Sequence, residues 1–328
     1  MTPILRDNFG RTINYLRLSV TDRCDLRCQY CMPKGFKDFA EPGGWLSFEE
    51  LTRLVAVFAR LGLRHLRLTG GEPLVRRDLP VLVRMLAGVP GLEDISLSSN
   101  CMRMEKLAGP LAEAGVKRLN VSLDSLRPER FREITGGGQL DKVLRGIEAA
   151  RKAGIWPIKI NTVAMKGSND DEFDDLIAYC VEHDYTLRFI ETMPVGDTGR
   201  RALGSYLNLQ QVRQDLVERH DLVPASMVGA GPARYYRVPG SETHIGFITP
   251  ISQHFCATCN RVRLSCEGDL FSCLGNEHCY GLREPLRTGC SDEELAGHVL
   301  AAINLKPERH EFNEHQEKVV RFMSMTGG

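Results

Sequence analysis

The feature that most constrains the fold is a regular alternation of short apolar segments and amphipathic segments from residue 15 to residue 191. The apolar segments have the length of strands, and the segments between them have helical spacing. Strands separated by helices form a parallel sheet with right-handed crossovers, either doubly wound or closed into part of a barrel. In both folds ligands bind at the carboxyl ends of the strands. We predict six strands, at residues 15–21, 65–69, 94–98, 118–122, 155–163 and 186–191.

Local signals mark several of the helices. Ser47-Phe48-Glu49-Glu50 has the pattern of a capping box, and Gly115 and Gly154 lie where C-terminal caps belong. Beyond the helix after Ser47, helices are predicted at 79–86, 104–114, 140–153, 172–183 and 209–219. The alternation stops after residue 191, and short β-like pieces follow at 235–238 and 244–248. We therefore predict two domains, residues 1–195 and a smaller covering domain at 196–328.

Composition indicates a cytoplasmic protein that binds neither nucleic acid nor membrane. The 328-residue chain has 42 basic and 42 acidic residues, so no net charge attracts polyanions. No apolar run has the length of a membrane span, and the N-terminus lacks a secretory pattern. In a reducing compartment, the 11 cysteines favour metal ligation or catalysis over disulfides.

Three of these cysteines form the first triplet, Cys24, Cys28 and Cys31, in a C-x3-C-x2-C run directly after the first predicted strand. A four-iron cluster needs four ligands, so three thiolates leave one iron free to bind a small molecule. A structural zinc site takes four protein ligands. No histidine lies close in sequence, which favours an iron–sulfur cluster over zinc.

A second motif, Thr69-Gly70-Gly71-Glu72-Pro73, follows the second predicted strand. Paired glycines allow a backbone to come close to a ligand. Glu72 could accept hydrogen bonds from a cationic amine. The position of this motif behind the cysteine loop indicates a binding site rather than a simple turn.

The second triplet is Cys256, Cys259 and Cys273, with the spacing C-x2-C-x13-C. This spacing also suits a zinc ribbon, with Cys266 or Cys279 as the fourth ligand. Arg261 and Arg263 follow at alternate positions, so both side chains can face one ligand.

The cysteine loop and the GGEP motif together resemble the radical S-adenosylmethionine (SAM) superfamily. Three further features extend the resemblance over nearly the whole chain, to the GTP 3′,8-cyclase family of molybdenum cofactor biosynthesis. They are the second triplet, the start Ser19-Val20-Thr21-Asp22-Arg23-Cys24 and the end Arg321-Phe322-Met323-Ser324-Met325-Thr326-Gly327-Gly328. The resemblance implies an α/β fold, an incomplete parallel (β/α)6 TIM-like barrel with a smaller C-terminal α+β covering domain. It also implies two [4Fe-4S] clusters, one on each triplet, with SAM on the open iron of the first and the guanine of GTP on that of the second.

Individual residues acquire roles from this resemblance. It implies that SAM contacts Tyr30, Gly71, Glu72, Ser122 and Met193. It implies that GTP contacts Arg17, Arg67, Ser98, Lys159, Arg261 and Arg263, with Arg17 also catalytic. The terminal Gly327 and Gly328 would enter the active site as catalytic residues. Lys159 lies between isoleucines in a predicted strand, so it faces the side opposite to theirs and, if buried, needs an anionic partner.

The implied reaction is hydrogen abstraction from C3′ of GTP, attack of the resulting radical on C8, and reduction to 3′,8-cyclo-7,8-dihydro-GTP. Its partners would be a flavodoxin- or ferredoxin-type electron donor, a downstream cyclic pyranopterin monophosphate synthase and a second copy of the chain in a homodimer. Two alternatives remain at this point. One is a radical SAM enzyme with an auxiliary cluster that acts on a peptide, and the other is a zinc-stabilised nucleotide- or nucleic-acid-binding module. Cys101 departs from the family pattern by standing where glycine is usual, so the local turn could differ.

Overall fold

The computed structural model describes residues 4–37, 39, 42–227 and 231–327. In this part of the chain, twelve strands form one sheet. The strands are β1 Tyr15–Ser19, β2 His65–Thr69, β3 Asp94–Ser99, β4 Arg118–Ser122, β5 Ile158–Ala164, β6 Thr186–Glu191, β7 Val223–Ala225, β8 Arg234–Arg237, β9 His244–Ile248, β10 Arg261–Leu264, β11 Asp269–Phe271 and β12 Cys279–Gly281. The α-helices are α1 Phe48–Arg60, α2 Leu79–Ala87, α3 Met104–Ala114, α4 Pro128–Thr135, α5 Leu140–Lys152, α6 Phe173–His183, α7 Gly196–Ala202, α8 Leu209–Arg219, α9 Arg283–Arg287, α10 Asp292–Asn304 and α11 Met323–Thr326.

Strands β1 to β6 lie side by side in chain order, and every neighbouring pair is parallel. A doubly wound sheet would reverse its order at a switch point, so the structure selects the barrel alternative. The edge strands β12 and β7 lie at opposite ends of the order, so the barrel is open. The expected incomplete barrel is therefore confirmed.

The C-terminal residues lengthen the sheet at both ends. β9 pairs in parallel with β6, and β10 pairs in parallel with β1. Antiparallel β8 and β7 follow β9 in the sheet, and antiparallel β11 and β12 follow β10. Because all these central strands are parallel, the segment 249–260 runs from the carboxyl end of β9 across the open side to the amino end of β10. The sheet thus continues past residue 195, and the predicted domain boundary there stays a prediction.

The two faces of the parallel sheet differ in chemistry. Helices pack on one face against buried apolar residues of the strands, among them Leu16, Leu66 and Ile160. On the other face, cross-strand register aligns Arg263, Arg17, Arg67, Ser96 and Arg118 on five neighbouring strands. Residues aligned in this way point to the same side of a sheet. The concave side of the barrel is therefore basic.

Lys159 belongs to the same concave face. It is half-buried between the buried Ile158 and Ile160, and its partner in register is Asn120 on β4. The predicted orientation opposite to the isoleucines is confirmed. β5 begins at Ile158 rather than at the predicted residue 155, because Pro157 has no N–H to donate to a strand ladder.

The predicted helix signals are present. Ser47 Oγ accepts from Glu50 N at 3.1 Å while Ser47 N donates to Glu50 Oε2 at 2.7 Å, which completes the capping box. Gly115 caps α3 at φ +118°. Helix α10 was not predicted, although Ser291 and Glu294 form the same kind of box at its start. In the described part of the chain, no helix is both long and apolar enough to cross a membrane.

Candidate active site

The first triplet lies on the loop that leaves the carboxyl end of β1. Its three cysteines line one cavity, called here the first cavity. The same cavity is lined by all five residues that were predicted to contact SAM: Tyr30, Gly71, Glu72, Ser122 and Met193. Ser98 lines it as well, although the resemblance implied a GTP contact there.

The paired glycines after β2 pack closely against protein backbone, and the predicted contact of Gly71 with SAM stays a prediction. A Cβ on Gly71 would lie 2.3 Å from the carbonyl oxygen of Arg23, and one on Gly70 would lie 2.4 Å from that of Thr21. The close contact permits hydrogen bonds from Gly71 N to Thr21 O and from Glu72 N to Arg23 O, both at 2.8 Å. The glycines therefore join the GGEP loop to the segment that leads into Cys24.

Glu72 ties this loop to the next one. Its side chain is buried and accepts hydrogen bonds from Leu74 N at 3.0 Å, Ser99 Oγ at 2.8 Å and Asn100 N at 2.7 Å. Burial raises the pKa of Glu72 to about 7, against the effect of these donors. Three oxygen lone pairs are thus used within the protein, and the contact of Glu72 with SAM stays a prediction.

Asp124 is a residue that the sequence reasoning missed. It follows β4, and its carboxylate accepts from Tyr30 Oη at 2.7 Å and from Val163 N at 2.8 Å. Burial raises the pKa of Asp124 to about 6, while the Tyr30 hydrogen bond acts in the opposite direction. Its position two residues past Ser122, at the carboxyl end of β4, was the available signal.

Cys101, which stands where glycine is usual in the family, has a left-handed backbone conformation. Cys101 has φ +60°, a left-handed conformation that side chains other than glycine adopt at some cost. Ser99 Oγ accepts from Cys101 N at 2.9 Å and holds the turn. Cys101 therefore occupies a left-handed turn, a backbone conformation that favours glycine.

The second triplet comes from two separate segments. Cys256 and Cys259 lie on the segment between β9 and β10, and Cys273 follows β11. Together they line the second cavity with four of the residues predicted to bind GTP, Arg17, Arg67, Arg261 and Arg263.

The surroundings of the second triplet are cationic. Burial would raise the pKa of Cys259, but Arg261 and Lys306 together lower it to about 7. Lys306 is 3% exposed and donates to the carbonyl oxygens of Arg261 at 2.9 Å and Ser272 at 2.5 Å. No local pattern marks Lys306, because it follows the end of α10 and reaches the site only through the tertiary fold.

The arginines of the second cavity repel one another. Burial, with Arg263 and Arg67 as charged neighbours, lowers the pKa of Arg17 well below its usual range. Burial likewise lowers the pKa of Arg263 to about 9 and that of Arg67 to about 10. Buried like charges are costly unless a counter-charge binds between them. The cavity is therefore built for an anion.

Lys159 lines a third cavity of about 330 Å³, called here the basic cavity, together with Arg67, Arg118 and Arg188. Burial and the charges of Arg188 and Arg118 lower the pKa of Lys159 to about 7. Arg188 also lines the second cavity. Sequence reasoning missed it, although it lies between Leu187 and Phe189 in the same way that Lys159 lies between isoleucines.

The three cavities form a series along the barrel. Asn161, Ile190 and Met193 line both the first and the second cavity. Tyr15, Arg67 and Arg188 line both the second and the basic cavity. A ligand in the second cavity can therefore face the first triplet on one side and the basic cavity on the other.

The C-terminal segment reaches this series. Met323 lines the first cavity, and the carbonyl oxygen of Gly327 accepts from Arg263. Gly327 has φ +75°, and a Cβ there would lie 2.2 Å from Thr69 Cγ2. Gly327 is therefore close to residues of both cavities, whereas Gly328 lies outside the described residues.

The donor sets suit four-iron clusters. Both triplets consist of free cysteines. Among the described residues, no three His, Cys, Asp or Glu side chains are placed to hold one metal ion. In a four-iron cluster each thiolate binds a different iron, and each triplet supplies three such thiolates.

Two family models match the chain. Residues 18–180 match the radical SAM superfamily, and residues 185–312 match the family described as Molybdenum Cofactor Synthesis C. The GTP 3′,8-cyclase of Marinobacter nauticus is 48% identical over 327 residues, covering 99% of this chain and 98% of that protein. That of Bradyrhizobium diazoefficiens is 46% identical, covering 100% of this chain and 97% of that protein.

The chain belongs to the GTP 3′,8-cyclase family. It is thus a radical SAM enzyme of molybdenum cofactor biosynthesis, and its cofactors are SAM and two [4Fe-4S] clusters. Each triplet supplies three cysteines, which suits one such cluster.

Solved structures support the fold of this GTP 3′,8-cyclase family member. Streptococcus suis SuiB bound to S-adenosylmethionine superposes with a TM-score of 0.61 at 15% identity, covering 89% of this chain and 69% of SuiB. SuiB bound to the precursor peptide SuiA gives 0.62 at 15% identity, covering 94% and 74%. At this identity the likeness concerns the fold alone.

Proposed function

We propose that the two triplet-lined cavities divide the GTP 3′,8-cyclase reaction between them. The first triplet holds the cluster that binds SAM, with Tyr30, Gly71, Glu72, Ser122 and Met193 around the cofactor. The second triplet holds the cluster that binds the guanine of GTP. When bound, the first cluster and SAM supply the 5′-deoxyadenosyl radical that removes hydrogen from C3′, and the carbon radical then attacks C8.

The observation that carries this proposal is the basic row on the concave face. Arg263, Arg17 and Arg67 lie side by side in register, on β10, β1 and β2. Arginine suits bidentate contact with phosphate oxygens, and a triphosphate supplies the counter-charge that these buried cations need. The row begins at the second triplet and leads to the basic cavity, so GTP can extend from base to phosphates along it.

The roles of individual side chains follow this direction. Arg261 and Arg263 lie nearest the second triplet and would hold the nucleoside. Arg67 and Lys159 would hold phosphate oxygens, with Arg118 and Arg188 added to the predicted set. Arg17 lies in the middle of the row and would orient the ribose end against the radical. Ser98 would contact GTP only from the first-cavity side.

The partners and location are part of the same proposal. Cleavage of SAM needs one electron, and the radical that remains after attack on C8 needs a second electron and a proton. A flavodoxin- or ferredoxin-type donor would supply both electrons. A cyclic pyranopterin monophosphate synthase would consume the product. We also propose a cytoplasmic homodimer, which sedimentation of the anaerobic protein would test directly.

The function is tested with anaerobically reconstituted protein, GTP, SAM and dithionite. We expect 5′-deoxyadenosine and 3′,8-cyclo-7,8-dihydro-GTP in equal amounts when GTP is present, and no cyclised nucleotide without GTP. A fully loaded enzyme that forms neither product would refute the proposal. Equal turnover with ATP in place of GTP would contradict the placement of guanine at the second triplet.

A further inference from the structure

The C-terminal residues 321–327, called here the strap, are anchored to the loop of the second triplet. The Arg321 side chain is 3% exposed. Its Nη1 donates to Asn276 O at 2.8 Å and to Glu277 Oε2 at 2.6 Å. Its Nη2 donates to Leu274 O at 2.7 Å and to Cys273 O at 3.4 Å. The guanidinium therefore binds the loop that begins at Cys273.

The same guanidinium also lies over an aromatic ring. Its Cζ is 4.4 Å from the centre of the Phe271 ring, which precedes the loop on β11. A planar cation with five donors can stack on a ring and bind several oxygens at once, which lysine cannot do. Arg321 is thus held in one orientation by the strand and by the loop.

Three residues further along, the strap touches the first triplet. The backbone N–H of Ser324 donates to the sulfur of Cys31. The Phe322 ring packs edge-on against Phe36, 5.0 Å away, in the loop that follows Cys31. Met323 lines the first cavity. One short segment therefore contacts the loops of both triplets.

A small apolar cluster closes the gap between these contacts. It consists of Val195, Phe312, Val319 and Met323, and it packs against Cys31, Met193, Ile251 and Leu274. Cys31 belongs to the first triplet and Leu274 follows Cys273 of the second. The cluster gives the strap apolar contact with both loops but no directional bond, so orientation depends on the hydrogen bonds.

We infer that Arg321 is a positioning residue, which holds the strap on the Cys273 loop and thereby sets the Ser324 N–H against the Cys31 sulfur. This inference rests on the proposed placement of the first cluster on Cys31. A hydrogen bond to a ligating sulfur stabilises the more negative, reduced state of an iron–sulfur cluster and so raises its reduction potential. The conformation of the loop that begins at Cys273 would therefore influence how readily the first cluster is reduced.

The test compares Arg321→Lys and Arg321→Ala with the wild-type holoenzyme. Lys318→Ala serves as the matched control, because Lys318 is half-exposed in the same C-terminal region and pairs with Glu311 at 2.6 Å. Two quantities are measured anaerobically without GTP. They are amide hydrogen exchange at Ser324, and the midpoint potential of the cluster whose EPR signal changes when SAM is added.

We expect both Arg321 variants to exchange the Ser324 amide at least about tenfold faster than the wild type. The midpoint potential should fall in the same variants, with lysine intermediate, and the Lys318→Ala protein should match the wild type in both measurements. Iron and sulfide content identifies variants that keep both clusters. If Arg321→Ala loses the second cluster, Arg321→Lys decides the question.

A cluster-loaded Arg321 variant with wild-type exchange and wild-type potential would overturn the inference. Faster exchange with an unchanged potential would overturn its electrostatic part, because the strap would then move without affecting the first cluster. Neither measurement uses GTP, so these outcomes are distinguishable from a failure of the cyclase proposal.

Discussion

The two triplets have the same number of cysteines but opposite electrostatic surroundings. The first lies on one loop next to the buried carboxyl groups of Glu72 and Asp124, and burial raises the pKa of Cys31 to about 12. The second is assembled from two segments beside Arg261 and Lys306, which lower the pKa of Cys259 to about 7.

This difference matches the ligands that each site would take. SAM carries a sulfonium and an amino group, which suit a cavity with carboxyl groups. GTP is a polyanion, which suits a cavity lined by arginines that form no ion pair with any carboxylate of the described residues. Equal numbers of cysteines therefore do not make equivalent sites, because the charges around the sulfurs differ and, under the proposed function, would decide which molecule each site accepts.

The sharpest way to separate the two sites is to remove one cysteine from each. Cys28→Ala should eliminate both 5′-deoxyadenosine and the cyclised nucleotide, because the SAM cluster is lost. Cys256→Ala should eliminate only cyclisation and keep reductive SAM cleavage under dithionite. Chromatography of the products and iron analysis check this, with about half the wild-type iron expected in each variant.

The control is Cys290→Ala, at a half-buried cysteine that lines neither cluster cavity. It should keep both activities and full iron content. Retained cyclisation in Cys256→Ala would contradict the role of the second triplet.

The junction between the sites is tested at Gly327. Its left-handed backbone and the 2.2 Å approach of a Cβ to Thr69 mean that Gly327→Ala must displace the strap end. We expect cyclisation to fall by at least about 100-fold with iron content unchanged. Deletion of Gly327 and Gly328 should act in the same direction, as measured by the same product assay.

Gly289→Ala is the matched control for Gly327→Ala. Gly289 also has a left-handed φ, +85°, but no atom of the described residues lies within 4 Å of its Cβ position. Its substitution should cost only backbone strain and leave turnover unchanged. Wild-type cyclisation by Gly327→Ala would show that the strap end is not part of the site.

A smaller effect is expected at the phosphate end. Lys159→Met removes one cation from the basic cavity, and a charge-assisted hydrogen bond contributes about 1.5–3 kcal/mol. The KM for GTP should therefore rise by about 10- to 100-fold, while the KM for SAM stays within about twofold. Steady-state kinetics with the exposed Lys152→Met as control checks this. A KM increase for SAM instead of GTP would contradict the placement of Lys159 at the phosphate end of the GTP site.

The smallest effect is a proton linked to GTP binding. In the free protein the pKa of Lys159 is about 7, below its ordinary 10.5, because of burial and neighbouring arginines. A bound triphosphate would raise that pKa, so binding at pH 8 should take up as much as about one proton and binding at pH 6 almost none. Calorimetry in buffers of different ionisation enthalpy measures the uptake.

The same shift affects stability without GTP. Between pH 7 and pH 10.5 the unfolded chain binds more protons at Lys159 than the folded chain does. The contribution of Lys159 to the free energy of unfolding therefore increases as pH rises through that window, which means that the folded state becomes more stable. For the calorimetry of GTP binding, proton uptake that persists in the Lys159→Met variant would show that another group takes up the proton.

Much of the fold was predictable because its signals are local. The six parallel strands, the capping box at Ser47 and the orientation of Lys159 each depend on residues within a few positions of one another. The short strands β7, β10, β11 and β12 were not predicted, although β8, which is equally short, was found. Arg188 could have been found by the rule used for Lys159, but Lys306 could not.

The sequence by itself determined the candidate residues: the spacing within short segments marked the two triplets and the GGEP loop, and the resemblance to the family implied the roles of the arginines. Only the tertiary structure decided how these segments meet. It placed β9 and β10 at opposite ends of one open sheet, lined the barrel with like charges, and laid residues 321–327 across both cysteine loops. The physical reason is that strand pairing and burial depend on contacts between residues far apart in the chain, which no local pattern encodes.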